Sequence, residues 1–478
     1  MSAFPFVGGA YRARSLNFDA QVCLNLYAEV SGSGNSKSVA MLIGTPGLLD
    51  LFDLPGTSGP IRGTYRFTDG IALAASSDSV FAITGPTTVN LIGAIAAGTT
   101  PVSMADNGSI VMLVTGTDGY FIDPVALTIT HIVDPDFVAG AKVSFLAGRF
   151  VWPKANTGQF QWTEVYGTDI DGLSFSTAES SPDPIVTQIA GFGELWELGQ
   201  NSTEVFQPSQ DADEPFVKVQ GASMEIGCIA PNSIAKIDSS FLWLGRSDEG
   251  AGIVWRAVNY QPQRISTHAI EFAFAGYGDL SDAIAFTYQQ EGHSFYVISF
   301  PAANKTWCYD ISTGLWHERA FRDTATGALE RIRPVCQMQF LGDTIVGDKD
   351  LARLYRWRLD VYEDGSAVPI LRRRTCPHLS AGLKRQFFHS LQIDMETGVG
   401  NPFNPGESPQ AMLRWSDDGG HTWSNSHWTS IGRIGEYRTR ARWRRLGWSR
   451  DRVFEVTIAD PVKVCIIGAD AEVTVGAS

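Results

Sequence analysis

The sequence is poor in charge and has no long apolar run. Asp, Glu, Lys and Arg make up only 18% of its 478 residues, few for a monomer surrounded by water, so part of the surface is expected to face other protein. No stretch reaches the ~18 consecutive apolar residues of a membrane span. The opening Met1-Ser2-Ala3-Phe4-Pro5-Phe6-Val7 lacks the basic and continuous apolar regions of a secretory leader. Synthesis and folding in a cytoplasm are the expectation, and Asn201-Ser202-Thr203 is not read as a glycosylation site. The six cysteines, Cys23, Cys228, Cys308, Cys336, Cys376 and Cys465, stand at least 28 residues apart with no C-x-x-C pair. They read as reduced core thiols rather than a zinc or disulfide framework.

Motifs for common chemistries are missing as well. No serine sits in a G-x-S-x-G elbow, and no G-x-x-x-x-G-K-[ST] loop exists to cradle a nucleotide. The eight histidines are scattered. Only His421 and His427 are close, at no recognised ligand spacing, and they read as a solvated loop. No motif implies a catalytic residue, metal or cofactor.

Turn formers and aromatics are plentiful, with 48 Gly, 23 Pro and 11% aromatic residues. Short apolar segments such as Val80-Phe81-Ala82-Ile83 and Ile110-Val111-Met112-Leu113-Val114 alternate with Gly, Pro and Asp turns, and 3.6-residue periodicity is almost absent. The fold class is all-β. Aromatic-ended strands recur near Phe81, Tyr120, Phe150, Trp196, Trp243, Tyr296 and Tyr355, a spacing that four-stranded propeller blades produce. A multi-sheet β-sandwich array is the structural alternative. The expected organisation is an N-terminal arm over 1–60, a β-propeller over 61–370 and a C-terminal β-sandwich over 371–478. Within the arm, Ser31-Gly32-Ser33-Gly34-Asn35-Ser36 reads as a hairpin or loop.

Charge separates along the same line. The net charge is -14 overall; residues 1–370 carry 22 basic and 40 acidic side chains, and residues 371–478 carry 15 and 11. An acidic majority argues against general affinity for nucleic acid, and the two parts are expected to meet different neighbours.

Two local patterns stand out. Ser416, Asp418, Gly420, Thr422 and Trp423 fit S-x-D-x-G-x-T-W, the Asp box known from sialidases and unrelated β proteins. Its residues read as a structural turn: a carboxylate to accept N–H bonds, a glycine for positive φ and an aromatic anchor. Candidate acids for a glycosidase, such as Asp169, Asp171, Glu194 and Glu197, cannot be paired across a cleft from sequence. The second pattern is Arg438, Arg440, Arg442 and Arg444, which strand alternation puts on one face opposite Thr439, Ala441 and Trp443. Either that face docks an acidic protein or contacts a phosphate, or it is solvated and balanced by neighbouring carboxylates.

Three ordered blocks carry a resemblance. These are Gly8-Gly9-Ala10-Tyr11-Arg12-Ala13-Arg14-Ser15, then Gln21-Val22-Cys23-Leu24-Asn25-Leu26-Tyr27, then Gly44-Thr45-Pro46-Gly47-Leu48. With Phe145 to Trp152, Gln159 to Glu164, Phe175 to Val186 and Trp196 to Phe206, they resemble the packaged-DNA stabilisation proteins, the tail hub or nozzle family of short-tailed phages. The resemblance spans about residues 5–235. It implies a structural virion protein that forms a ring, by analogy a hexamer, beneath the portal and adaptor. Such a ring closes the DNA exit channel, lets DNA pass without specific binding, and carries spikes, fibres or a needle. A sialidase-like glycosidase and a carbohydrate-binding adhesin stay open as alternatives.

Overall fold

The computed structural model describes residues 2–476 except 180, 212, 248 and 249. It is built almost wholly from strands, with one helix, His268–Ala275, among the described residues. Six sheets follow one another along the chain, over residues 61–94, 103–131, 144–177, 185–218, 227–264 and 284–319. A seventh combines residues 334–358 with Gly47–Asp53. Each neighbouring pair shares an apolar core. Leu73 and Leu113 meet between the first and second sheets, Met112 and Trp152 between the second and third, and Phe160 and Phe206 between the third and fourth. Trp196 and Trp243, Leu244 and Tyr296, Phe295 and Tyr355, and Phe81 and Ile345 complete the circuit. The circuit is a closed β-propeller.

Blades packed on both faces explain the sequence pattern. Every residue of Val111–Val114 and of His293–Phe300 is buried, so their centres, Val111–Val114 and Phe295–Ile298, read as continuous apolar runs instead of alternating. The six cysteines are free, five of them buried and Cys336 half-buried, and burial pushes the Cys23 and Cys228 thiols up to about 11.

The C-terminal part is a β-sandwich. One sheet runs Ala441–Arg444, Gln386–Met395, Cys465–Val475, Ala40–Gly44, Leu26–Val30. The other contains Arg372–Thr375, Asp451–Ile458, Gln410–Ser416 and His427–Ser430, and continues through Cys23–Leu24 into the outer strand of the sixth blade, Leu315–Arg319. Propeller and sandwich are therefore stitched by a shared sheet.

The N-terminal 60 residues are not an arm lying outside these bodies. Leu26–Val30 and Ala40–Gly44 are sandwich strands, joined by the turn at Ser31, and Gly47–Asp53 is the outer strand of the last blade. The pairings of Ala40–Gly44 with Cys465–Val475 and of Gly47–Asp53 with Arg353–Arg358 join segments about 420 and 300 residues apart, and no local feature of a strand announces a partner that distant.

Candidate interaction surfaces

The Asp-box turn caps the end of Gln410–Ser416. The Asp418 carboxylate accepts the Thr422 amide at 2.8 Å, the Thr422 hydroxyl at 2.6 Å and the Ser416 hydroxyl at 2.6 Å. Those bonds hold it well below the usual carboxylate range. Gly420 donates to Ser416 Oγ at 2.7 Å from a backbone at φ +101°, a conformation that suits glycine. Trp423 is half-buried, its ring under the Arg414 guanidinium at 4.7 Å, so the aromatic anchor is an Arg stack rather than a core plug. A Cβ on Gly419 would stand 2.2 Å from Asn17 Oδ1. The turn is thus packed against the N-terminal segment.

The arginine run is only partly a strand. Extended pairing covers Ala441–Arg444, while 433–439 form turns closed by Glu436 N to Arg433 O and Thr439 N to Glu436 O, with Gly432 and Gly435 at positive φ. Alternation holds over the last four residues: Ala441 and Trp443 are buried, and Arg442 and Arg444 point outwards. Arg442 lies 3.3 Å from Glu472 and donates to Ser390 Oγ at 2.8 Å. Arg438 and Arg440 are exposed on the irregular approach, and Arg444 is exposed on the strand. The four therefore share a surface without forming a single row.

The glycosidase candidates are dispersed. Glu194 accepts a hydrogen bond from Tyr260. Glu197 is 1% exposed and pairs in register with Glu204 inside the fourth blade; desolvation and that neighbour push it well above the usual carboxylate range. Asp169 and Asp171 lie at the start of the outer strand of the third blade, with Asp171 bonding its own turn. His427 stacks on Trp415 with ring centroids 4.8 Å apart. Among the described residues no group of three His, Cys, Asp or Glu could hold a metal ion.

Sequence reasoning missed the seam between the bodies. Arg374 is fully buried, with Nε to Phe6 O at 2.7 Å, Nη1 to Gly9 O at 2.8 Å and Nη2 to Gln21 Oε1 at 2.6 Å. It pins the N-terminal segment between blade and sandwich. The signal was the run Arg372-Arg373-Arg374, in which strand alternation turns Arg372 and Arg374 inwards. A groove of about 740 Å³ opens beside this seam, lined by Arg12, Arg14, Leu16, Phe272, Trp307 and His421 among others.

A family model described as Bacteriophage P22 Gp10, beta-propeller matches residues 2–362, and one described as Bacteriophage P22 Gp10, beta-sandwich matches residues 372–474. No curated protein matches the chain. Among solved structures, the extracellular domain of the one component system BT4673 from B. thetaiotaomicron is similar at 11% identity and TM-score 0.44, over 86% of this chain and 57% of that one. This chain thus spans little more than half of that domain's length. The computationally designed Ika8 protein is similar at 14% identity and TM-score 0.38, over 71% and 100% of the two chains. The Myceliophteria thermophila Cps50 (Swd1) β-propeller domain is similar at 8% identity and TM-score 0.41, over 65% and 99%. At these scores the structural likenesses carry no argument.

Proposed function

Starting from the fact that the chain belongs to the bacteriophage P22 Gp10 family and is a structural protein of the phage tail, we propose that it is the tail hub, or nozzle, of a short-tailed phage. In this reading copies form a ring, by analogy a hexamer, below the portal and adaptor. The ring closes the DNA exit channel, retains the packaged genome, and carries spikes, fibres or a needle. The supporting observation is that the propeller and sandwich families match in order along nearly the whole chain.

Charge is consistent with that task. Residues 1–370 carry 22 basic and 40 acidic side chains. Each Lys or Arg contact with a phosphate would brake sliding DNA, whereas an acidic wall repels it weakly. The C-terminal residues 371–478, with 15 basic and 11 acidic side chains, are the part suited to meet an acidic adaptor. Exposed Arg438, Arg440 and Arg444 are the side chains we assign to that contact.

The test is removal of the gene and add-back of the purified protein. Expected are DNA-filled heads that leak their genome and are sealed again by the added chain. Particles that keep their DNA and infect without the protein would overturn the reading. The same reading predicts no hydrolysis of sialosides or bacterial surface polysaccharide. Saccharide release abolished by changing one carboxylate would overturn it as a complete account.

A further inference from the structure

The groove beside the seam is bordered by the N-terminal segment, the sole described helix and the sixth blade. A second hollow of about 490 Å³ continues it past Arg14, Phe18 and Phe272. Phe18 is 75% exposed and Phe272 44% exposed, with the Arg14 guanidinium 5.5 Å from the Phe272 ring. Arg12 and Arg14 are exposed, and among the described residues no carboxylate pairs with either. The carboxylates that line the groove, Glu318 and Glu271, are paired with Lys305 and Arg264, so it offers apolar surface with the positive charge of Arg12 and Arg14 left over, in a chain whose net charge is -14. It suits a segment that combines carboxylates with apolar side chains.

The chain itself displays such a segment. After the outer strand of the second blade, Val133 is 81% exposed and Val138 40% exposed, with Asp134, Pro135 and Asp136 exposed between them. The loop is held rigidly from below. Trp152 Nε1 donates to Val138 O at 3.0 Å, Gln161 Nε2 donates to Asp136 O at 2.9 Å, and Phe137 packs on Trp152 with centroids 5.5 Å apart. Its shape is fixed before any encounter, which lowers the entropy lost on binding. Two other acidic loops, 164–173 with exposed Val165, Tyr166 and Leu173 and the one around Asp211, Asp213 and Glu214, join the third and fourth strands of their own blades, which puts them at the opposite end of the propeller from the helix.

Position decides whose loop can enter. In the circuit of sheets the second blade stands three places from the sixth one way and four the other, so a copy cannot fill its own groove. Loop and helix are both connections from the outer strand of one blade to the next blade, which puts them at the same end of the propeller. A patch and its complement on nearly opposite sides of one subunit produce head-to-tail association. We propose that the groove at Arg12, Arg14, Phe18 and Phe272 receives the 132–138 loop of a second copy of this chain. The inference rests on the ring reading and names its contact.

The test uses full-length chains. One preparation carries Val133→Cys and another Phe18→Cys; both are mixed during tail assembly and oxidised. Disulfide-linked pairs are expected only in the mixture, and a yield no higher than with a cysteine at Val475 on the sandwich would overturn the contact. Arg14→Glu and Asp136→Lys, each first shown to melt like the parent, should each lower that yield about tenfold. Combining the two variants should restore it. If Arg14→Glu assembles and retains DNA as the parent does, the contact is wrong while the tail reading stands. If the unmodified chain is missing from particles, the tail reading itself falls.

Discussion

Arg452 and Asp417 form a two-point ion pair, Nε to Oδ1 at 2.6 Å and Nη2 to Oδ2 at 2.8 Å, in which the arginine is 1% exposed and the aspartate 44%. The guanidinium also lies over Phe388 at 4.6 Å and Trp415 at 5.3 Å. Sandwich strand, Asp-box turn and aromatic core are tied together at this one charge. Asp417→Ala leaves Arg452 buried with carbonyl partners alone, and we expect destabilisation of about 3 kcal/mol, limited because water reaches the aspartate side. Chemical denaturation would check this; a variant as stable as the parent would mean the pair contributes nothing net.

Asp418, the next residue, is exposed. Asp418→Ala should lower stability by about 1 kcal/mol, since water can replace part of what the carboxylate gives the Thr422 amide. Its depressed pKa gives a sign: the contribution is present above the ordinary aspartate range and fades as pH falls through the folded value. The parent-minus-variant difference in melting temperature should therefore shrink in strong acid. Loss of a ligand with unchanged melting would make the turn a binding site instead.

Glu197 runs the opposite way. Burial beside Glu204 raises its pKa, so its protonated form fits the blade, and stability falls as pH climbs from the ordinary glutamate range through the raised folded value. Glu197→Gln keeps the shape without the charge. The variant should gain in melting temperature over the parent at pH 8 and gain little or nothing at pH 5; equal gains at both would refute a titrating Glu197.

Arg374→Met removes the donor that serves Phe6 O, Gly9 O and Gln21 Oε1. Leaving those acceptors unpaired should destabilise by about 3 kcal/mol. Limited proteolysis should cut within residues 6–22 before it cuts any blade. Cleavage in the parent order would show that the segment is held by other contacts.

Among the sandwich arginines the structure separates two classes. Arg442→Glu breaks a half-exposed pair with Glu472 and should cost about 0.5 kcal/mol with little effect on docking. Arg440→Glu combined with Arg444→Glu should leave melting unchanged and abolish assembly on tail-less, DNA-filled heads. Parent binding should weaken with salt over a screening length of ~8 Å near physiological ionic strength. Normal assembly of the double variant would assign these side chains to solvent.

The all-β class, the turn at Asp418 and the buried thiols were legible in the sequence, because turn chemistry and apolar runs are written within a few residues of one another. So were the two folds, a propeller and a C-terminal sandwich, from strand spacing and alternating strand patterns. Tertiary structure alone decided where residues 1–60 go. Asn25 donates to Ala320 O and Leu371 O, and Gly47–Asp53 closes a blade begun at Pro334. Backbone pairing between distant segments depends on hydrogen-bonding groups common to all residues, so nothing in a short strand records its partner. Likewise Arg438 and Arg440 left the strand because glycine turns and hydrogen bonds among 432–439 bend the chain before Ala441. Alternation in sequence could not register where extended backbone begins, and ring closure and chain bending are properties of the folded whole.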